Sequence, residues 1–187
     1  MNRYGPTPKL AFAAAAAAIV VAAAAPPAHA YETPSHLNEV SRFYSLGVGE
    51  IRCDTEAEWR ADPASRFAWS YTNVRHDFSV LPPFLCEGAL NAGNPTVPLW
   101  QQSAGVWTLV RESFHLRHWR FRRNEAKVLC QTIVYFTEAA TRLGASDDQA
   151  NELYPYALAL HHQTTQLYPW FRDPTCIVPP WILPSRP

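Results

Sequence analysis

The sequence predicts a mainly α-helical, single, disulfide-stapled domain that follows an export leader. Three observations carry this. Apolar residues recur at steps of three and four through most of residues 99–168. All four cysteines lie beyond residue 30, and the first thirty residues have the composition of a cleaved secretory signal.

The leader is read from Arg3 and Lys9, which precede an apolar run from Leu10 to Ala25, and from Ala28-His29-Ala30, whose small residues suit signal peptidase. That run is shorter than the roughly 20 residues a spanning helix needs, and no later segment is long and apolar enough. The expected product is therefore an exported chain, 31–187, with no membrane span, secreted to the extracellular side. It is divided into an N-terminal half (31–98), a helical half (99–168) and a proline-rich extended tail (169–187).

In the N-terminal half, residues 36–46 suit a short helix. Asp54-Thr55 with Glu58 forms a capping-box pattern that opens a helix through Trp59, closed by Pro63. Phe67, Trp69 and Tyr71 alternate with small or polar residues, which predicts a short strand. Pro82-Pro83 opens a further helix that carries Cys86 and ends near Gly93.

In the helical half, Trp100, Ala104, Trp107, Val110, Phe114 and the stem of His118 fall on one face of a helix from Leu99 to His118. A second helix is predicted from the cap Asn124 to Leu143. It has Ala126, Leu129, Cys130, Ile133, Phe136, Ala140 and Leu143 inward and Gly144 as its stop. Ser146 and Gln149 form a capping box for a third, continued by Leu153, Ala157, Leu160, Thr164 and Leu167, with a kink expected at Pro155. Pro179, Pro180, Pro184 and Pro187 exclude a helical tail, which should lie extended and be anchored at Cys176.

Cys53, Cys86, Cys130 and Cys176 allow three pairings. Pairing Cys53 with Cys86 and Cys130 with Cys176 is favoured because it staples each half to itself. A cysteine zinc site is disfavoured, since no C-x-x-C pair exists. The whole chain carries 16 basic and 16 acidic residues; losing the leader removes two basic ones and leaves a formal charge of −2. That balance gives no general attraction to nucleic acid. The cluster Arg111, Arg117, Arg120, Arg122 and Arg123 reads as a solvated, acid-paired face before it reads as a polyanion site.

The chemistry-bearing segment is Arg111-Glu112-Ser113-Phe114-His115, with Asn124-Glu125-Ala126 beginning nine residues later. This is the outline of a zinc-hydrolase helix, H-E-x-x-H followed by a glutamate ligand, with its first histidine replaced by Arg111. In such a site two histidines at i and i+4 and a third donor hold zinc, while the intervening glutamate takes a proton from the metal-bound water. Glu112 keeps the place of the general base, and His115 and Glu125 keep two ligand places. Arg111 is the defective position, because a guanidinium has no lone pair to donate. His118, one turn beyond His115, is a candidate replacement donor, and His161-His162 a more remote one. Loss of the cation leaves the Glu125 carboxylate needing a counter-charge, and the sequence predicts that Arg111 supplies it through a forked pair of hydrogen bonds.

The stretch "TLVRESFHLRHWRFRRNEAKVLCQTIVYFTEAATRLGAS" resembles a family of small secreted actinobacterial proteins with the pattern L-x-H-E-S-x-H-L-R-G-W-x-N-E-A-x-x-x-C, followed by a helix closing in L-G-A. The resemblance extends to residues 53–59, Cys86 and Cys176. It implies a zincin-like metallopeptidase fold with His115 and Glu125 as ligands and Glu112 as base. This chain departs from the pattern at Arg111, at His118 in place of glycine, and in a turn before Asn124 that is about two residues longer.

The residues also have plainer readings. His115 suits a half-buried, hydrogen-bonded histidine, Glu125 a helix start, and Glu112 a solvated helix face. The seven tryptophans, Trp59, Trp69, Trp100, Trp107, Trp119, Trp170 and Trp181, read mainly as core. An exposed coplanar pair would instead favour stacking on sugars. Ser113 lacks the glycine-flanked elbow of a serine nucleophile. The expected function is a secreted zincin-like domain with a degenerate metal site and no cofactor; its extracellular role and partner are not readable from the sequence, an extracellular peptide or cell-envelope component being the candidate partners. The alternatives are an active zinc-dependent peptide or amide hydrolase with a rearranged site, and a cell-envelope glycan-binding or structural module.

Overall fold

In the computed structural model, which describes residues 34–66, 69–73, 75–117 and 124–176, local start signals set most helix boundaries. Helix α1 spans Ser35–Ser45 and ends at Leu46 in the left-handed region (φ 62°). Strand β1, Glu50–Cys53, leads into α2, Glu56–Ala61. The predicted capping box is present there: the Thr55 hydroxyl accepts from the Glu58 N–H, and the Glu58 carboxylate accepts from the Thr55 N–H. A 3₁₀ turn (Pro63–Arg66) and strands β2 (Tyr71–Asn73) and β3 (Phe78–Leu81) precede α3, Pro83–Leu90, which starts on a proline as expected.

The helical half contains α4 (Leu99–Leu116), α5 (Glu125–Val134), α6 (Phe136–Arg142), α7 (Asp147–Leu167) and a 3₁₀ turn at Pro169–Phe171. Asn124 caps α5 by accepting from the Lys127 N–H, and the Ser146–Gln149 box caps α7. Both disulfides are as predicted, Cys53–Cys86 and Cys130–Cys176. Among the described residues no helix is long and apolar enough to cross a membrane. The leader, His118, the turn 119–123 and the tail beyond Cys176 lie outside the described residues.

The centre of the fold is α4. Fourteen of its residues are buried, so it is surrounded on most sides and carries no single inward stripe. Helices α1, α3, α5 and α7 and strand β3 pack on it, which joins both halves in one core that runs from Leu37 to Ala157. The sheet has the order β1-β3-β2. Strand β1 runs parallel to β3, and β2 pairs antiparallel with it, with Thr72 opposite Ser79.

Several expectations are corrected. Trp100 (55 % exposed) and Leu167 (64 %) face outward; each stands near one end of its helix, where the neighbouring elements no longer cover the stripe. The second helix is broken: Tyr135 takes φ −98°, ψ 5°, which separates α5 from α6. It sits in Ile133-Val134-Tyr135-Phe136-Thr137, a run of β-branched and aromatic residues with weak helix preference. The break lets Phe136 meet Tyr154 on α7, ring centroids 6.0 Å apart, while α5 stays on α4. As expected, helix α7 continues through Pro155, an exposed position; the carbonyl of exposed Asn151, which loses its helical donor there, can turn to water. The predicted strand begins only at Tyr71, Trp69 lies in a bend, and Phe67 is outside the described residues. Helix α3, expected to end near Gly93, ends at Leu90 with Asn91 as its cap.

Helices α3 and α4 approach backbone to backbone. A Cβ on Gly88 would come within 2.1 Å of the Gln101 carbonyl oxygen, and one on Gly105 within 2.3 Å of the Ala89 nitrogen and 2.4 Å of the Leu85 oxygen. Helix propensity alone favours alanine at such positions by about 1 kcal/mol, but the contact reverses the sign. Gly105→Ala is expected to lower stability by about 2–3 kcal/mol in urea denaturation. A neutral or stabilising result would show that the helices can part without cost.

Candidate functional site

Positions 111 and 115 lie one turn apart on α4, so both side chains leave the same face. Helix α5 begins beside that face and presents Glu125 in its first turn. The result is a convergence on one carboxylate. Arg111 Nε and Nη2 both reach Glu125 Oε1 at 2.7 Å, and His115 Nε2 lies 3.0 Å from Oε2. The predicted Arg111–Glu125 pair is therefore present, although its fork closes on a single oxygen and leaves the other to histidine.

The third nitrogen of the guanidinium turns the opposite way. Arg111 Nη1 donates to Glu112 Oε1 at 2.6 Å, and that carboxylate is 1 % exposed. Glu112 faces the sheet and is not solvated. Oε1 also accepts from the Ser70 hydroxyl at 2.7 Å, and Oε2 accepts from the Thr72 hydroxyl at 2.5 Å. Thr72 Oγ and Ser79 Oγ are 2.7 Å apart across the sheet. Since the Thr72 proton goes to Glu112, Ser79 must donate to Thr72. A relay of hydroxyls thus runs from β3 through β2 to the carboxylate.

Ser70, Tyr71, Thr72, Arg111, Glu112, His115 and Glu125 line an open pocket of about 180 Å³. The electrostatics follow from the pairing. Burial pushes the Glu125 carboxyl up, but the hydrogen bond from His115 and the charge of Arg111 outweigh it and hold the group at about 2. Burial likewise disfavours the Arg111 cation, yet Glu112 and Glu125 keep its pKa above the ordinary value.

Zinc requires free lone pairs on its ligand atoms. His115 Nε2 bonds the Glu125 carboxylate, an acceptor, so that nitrogen carries a proton and offers no lone pair. Glu125 Oε1 is taken by the guanidinium, and a divalent ion at that oxygen would sit beside a fixed positive charge. Among the described residues no group of three His, Cys, Asp or Glu side chains is placed to hold an ion. As arranged, these residues do not fit zinc.

Ser113 is buried with its hydroxyl 2.6 Å from the Leu109 carbonyl and 2.9 Å from Ser41 Oγ, an arrangement that ties α4 to α1. His161 and His162 pack against each other on α7, and neither lines the pocket. His118 is outside the described residues. Sequence reading missed Ser70, Thr72 and Ser79, whose spacing to Glu112 carries no local signal. Comparisons with protein-family models, with curated proteins and with solved structures find no match for the chain.

The Glu125 shift gives a pH dependence with a definite sign. A carboxyl depressed in the folded state adds stability that is complete above its unfolded pKa of about 4.3 and is lost as pH falls towards 2. The contribution is on the order of 3 kcal/mol. Glu125→Gln should flatten the stability profile between pH 4.5 and 2, measured by urea denaturation across that range. An unchanged slope would show that the pairing contributes nothing to folding.

Proposed function

We propose that this chain is an exported zincin-like domain, akin to the small actinobacterial proteins it resembles, in which an arginine has replaced the zinc ion and the domain acts by binding and not by hydrolysis. The observation that carries this reading is the Arg111 guanidinium lying between Glu112 and Glu125. A metal ion in such a site neutralises the ligand carboxylate and orients the base. Here one permanently charged side chain does both electrostatic jobs and supplies no Lewis acidity.

Glu112 supports the reading as well. A general base needs a free lone pair directed at the proton it removes. Three donors, from Arg111, Ser70 and Thr72, take three of its roughly four lone pairs and fix its orientation towards the sheet, so the carboxylate serves as an anchor. Two disulfides suit an oxidising, extracellular setting. The partner expected from this setting is an extracellular peptide or a cell-envelope component.

Metal analysis of the purified protein is the direct test: no stoichiometric zinc is expected. Arg111→His is the companion. Without metal it should be less stable by about 3 kcal/mol, because it leaves Glu112 buried without its cation. Zinc at about 100 times its Kd should then restore about 2.7 kcal/mol. One equivalent of zinc in the parent protein, lost on His115→Ala, would overturn the proposal in favour of an active hydrolase with a rearranged ligand set.

A further inference from the structure

A larger groove of about 570 Å³ lies beside the pocket and shares Arg111 with it. Its walls include Trp69 from the bend before β2, Gln163 near the end of α7, and Tyr168 and Phe171 around the following 3₁₀ turn, with Trp107 of α4 between them. Three features bear on what it takes. The rings are open: Trp69 is 64 % and Tyr168 45 % exposed. Trp107, by contrast, is 8 % exposed, and its indole N–H has no acceptor among the described residues. A buried donor left unpaired is destabilising, and an oxygen from a bound ligand would relieve it.

The third feature is charge. Among the described residues, Arg111 is the only charged side chain in the lining, and it is already matched by Glu112 and Glu125. The described lining therefore favours neither an anionic nor a cationic ligand. The walls otherwise offer amide and hydroxyl groups beside aromatic faces. That combination suits a molecule with a C–H face and a ring of hydroxyls.

We infer that this groove binds an uncharged carbohydrate chain, with a sugar ring stacked on Trp69, the Trp107 N–H donating to a ligand oxygen, and the Gln163 amide hydrogen-bonding its hydroxyls. A proline-rich peptide fits less well. Prolyl rings drop into gaps between aromatic side chains, whereas Tyr168 and Phe171 touch, with centroids 5.1 Å apart, and form a continuous ridge. This inference goes beyond the loss of zinc and does not depend on it, since the groove lining contains no proposed metal ligand.

The test uses the purified protein, titrated by calorimetry and tryptophan fluorescence with neutral hexasaccharides: β-1,4-linked glucose, β-1,4-linked N-acetylglucosamine and α-1,4-linked glucose. Hexagalacturonate and a proline-rich decapeptide are the competing ligands. Saturable binding of at least one neutral hexasaccharide is expected, weakened tenfold or more by Trp69→Ala and by Gln163→Ala. Both residues are exposed, so the variants should stay folded by circular dichroism. Trp107→Phe should weaken binding similarly, and Trp100→Ala, exposed elsewhere, should leave it unchanged. Absence of saturation with all three saccharides, tighter binding of hexagalacturonate or the peptide, or an equal loss in Trp100→Ala would overturn the inference.

Discussion

A carboxylate as buried as Glu112 is accommodated in this fold by the cation and two hydroxyls that meet it. Arg111 therefore ties together, by charge, three elements that the apolar core also brings into contact. Through Glu112 it holds α4 to the sheet, and through Glu125 it holds α4 to the first turn of α5. Replacing such a cluster wholesale with apolar groups is often harmless. Removing one partner is not, because the remaining charges are left in a poor solvent. The asymmetry makes the cluster a constraint on which residues can change singly more than a large source of net stability.

How much of the fold was legible in the sequence depended on how local its cause was. Capping at Thr55, Asn124 and Ser146 is written within four residues, and each helix starts where those residues place it. The disulfides followed from pairing cysteines within halves. The sheet was not legible. β1 and β3 are four residues each and pair across about 28 positions, so no alternation is long enough to announce them. The close approach of Gly88 to Gly105 was equally hidden, because a glycine inside a helix looks like a weakness until the neighbouring backbone is known. Tryptophan burial misled for a related reason: ring size predicts how much a side chain gains by burial, not whether the surface has a partner for it. Of the five described tryptophans only Trp107 is buried.

The candidate site shows the same division. That Arg111 should seek Glu125 followed from charge conservation at a single position, and the two residues do meet. The role of Glu112 did not follow. A helix-surface glutamate and a buried anchor are indistinguishable in a motif, and the difference lies in Ser70 and Thr72, some 40 residues away. The motif thus located the cluster correctly while saying little about which atoms are free to react.

Exchanging a metal ion for a guanidinium keeps the sign of the central charge and changes its reach. A coordinated ion accepts several lone pairs at about 2 Å and leaves an open position for a substrate. The guanidinium instead uses its three nitrogens as donors to two carboxylates, and the space left is a pocket of about 180 Å³. What such a substitution cannot disturb is the surface beyond the cluster. Arg111 shows one edge to that pocket and another to the aromatic groove, where its charge is already cancelled. On the proposed reading, a neutral groove beside a cation held this way is compatible with binding in place of hydrolysis, because stacking and hydrogen bonding to an uncharged ligand require neither Lewis acidity nor a free base.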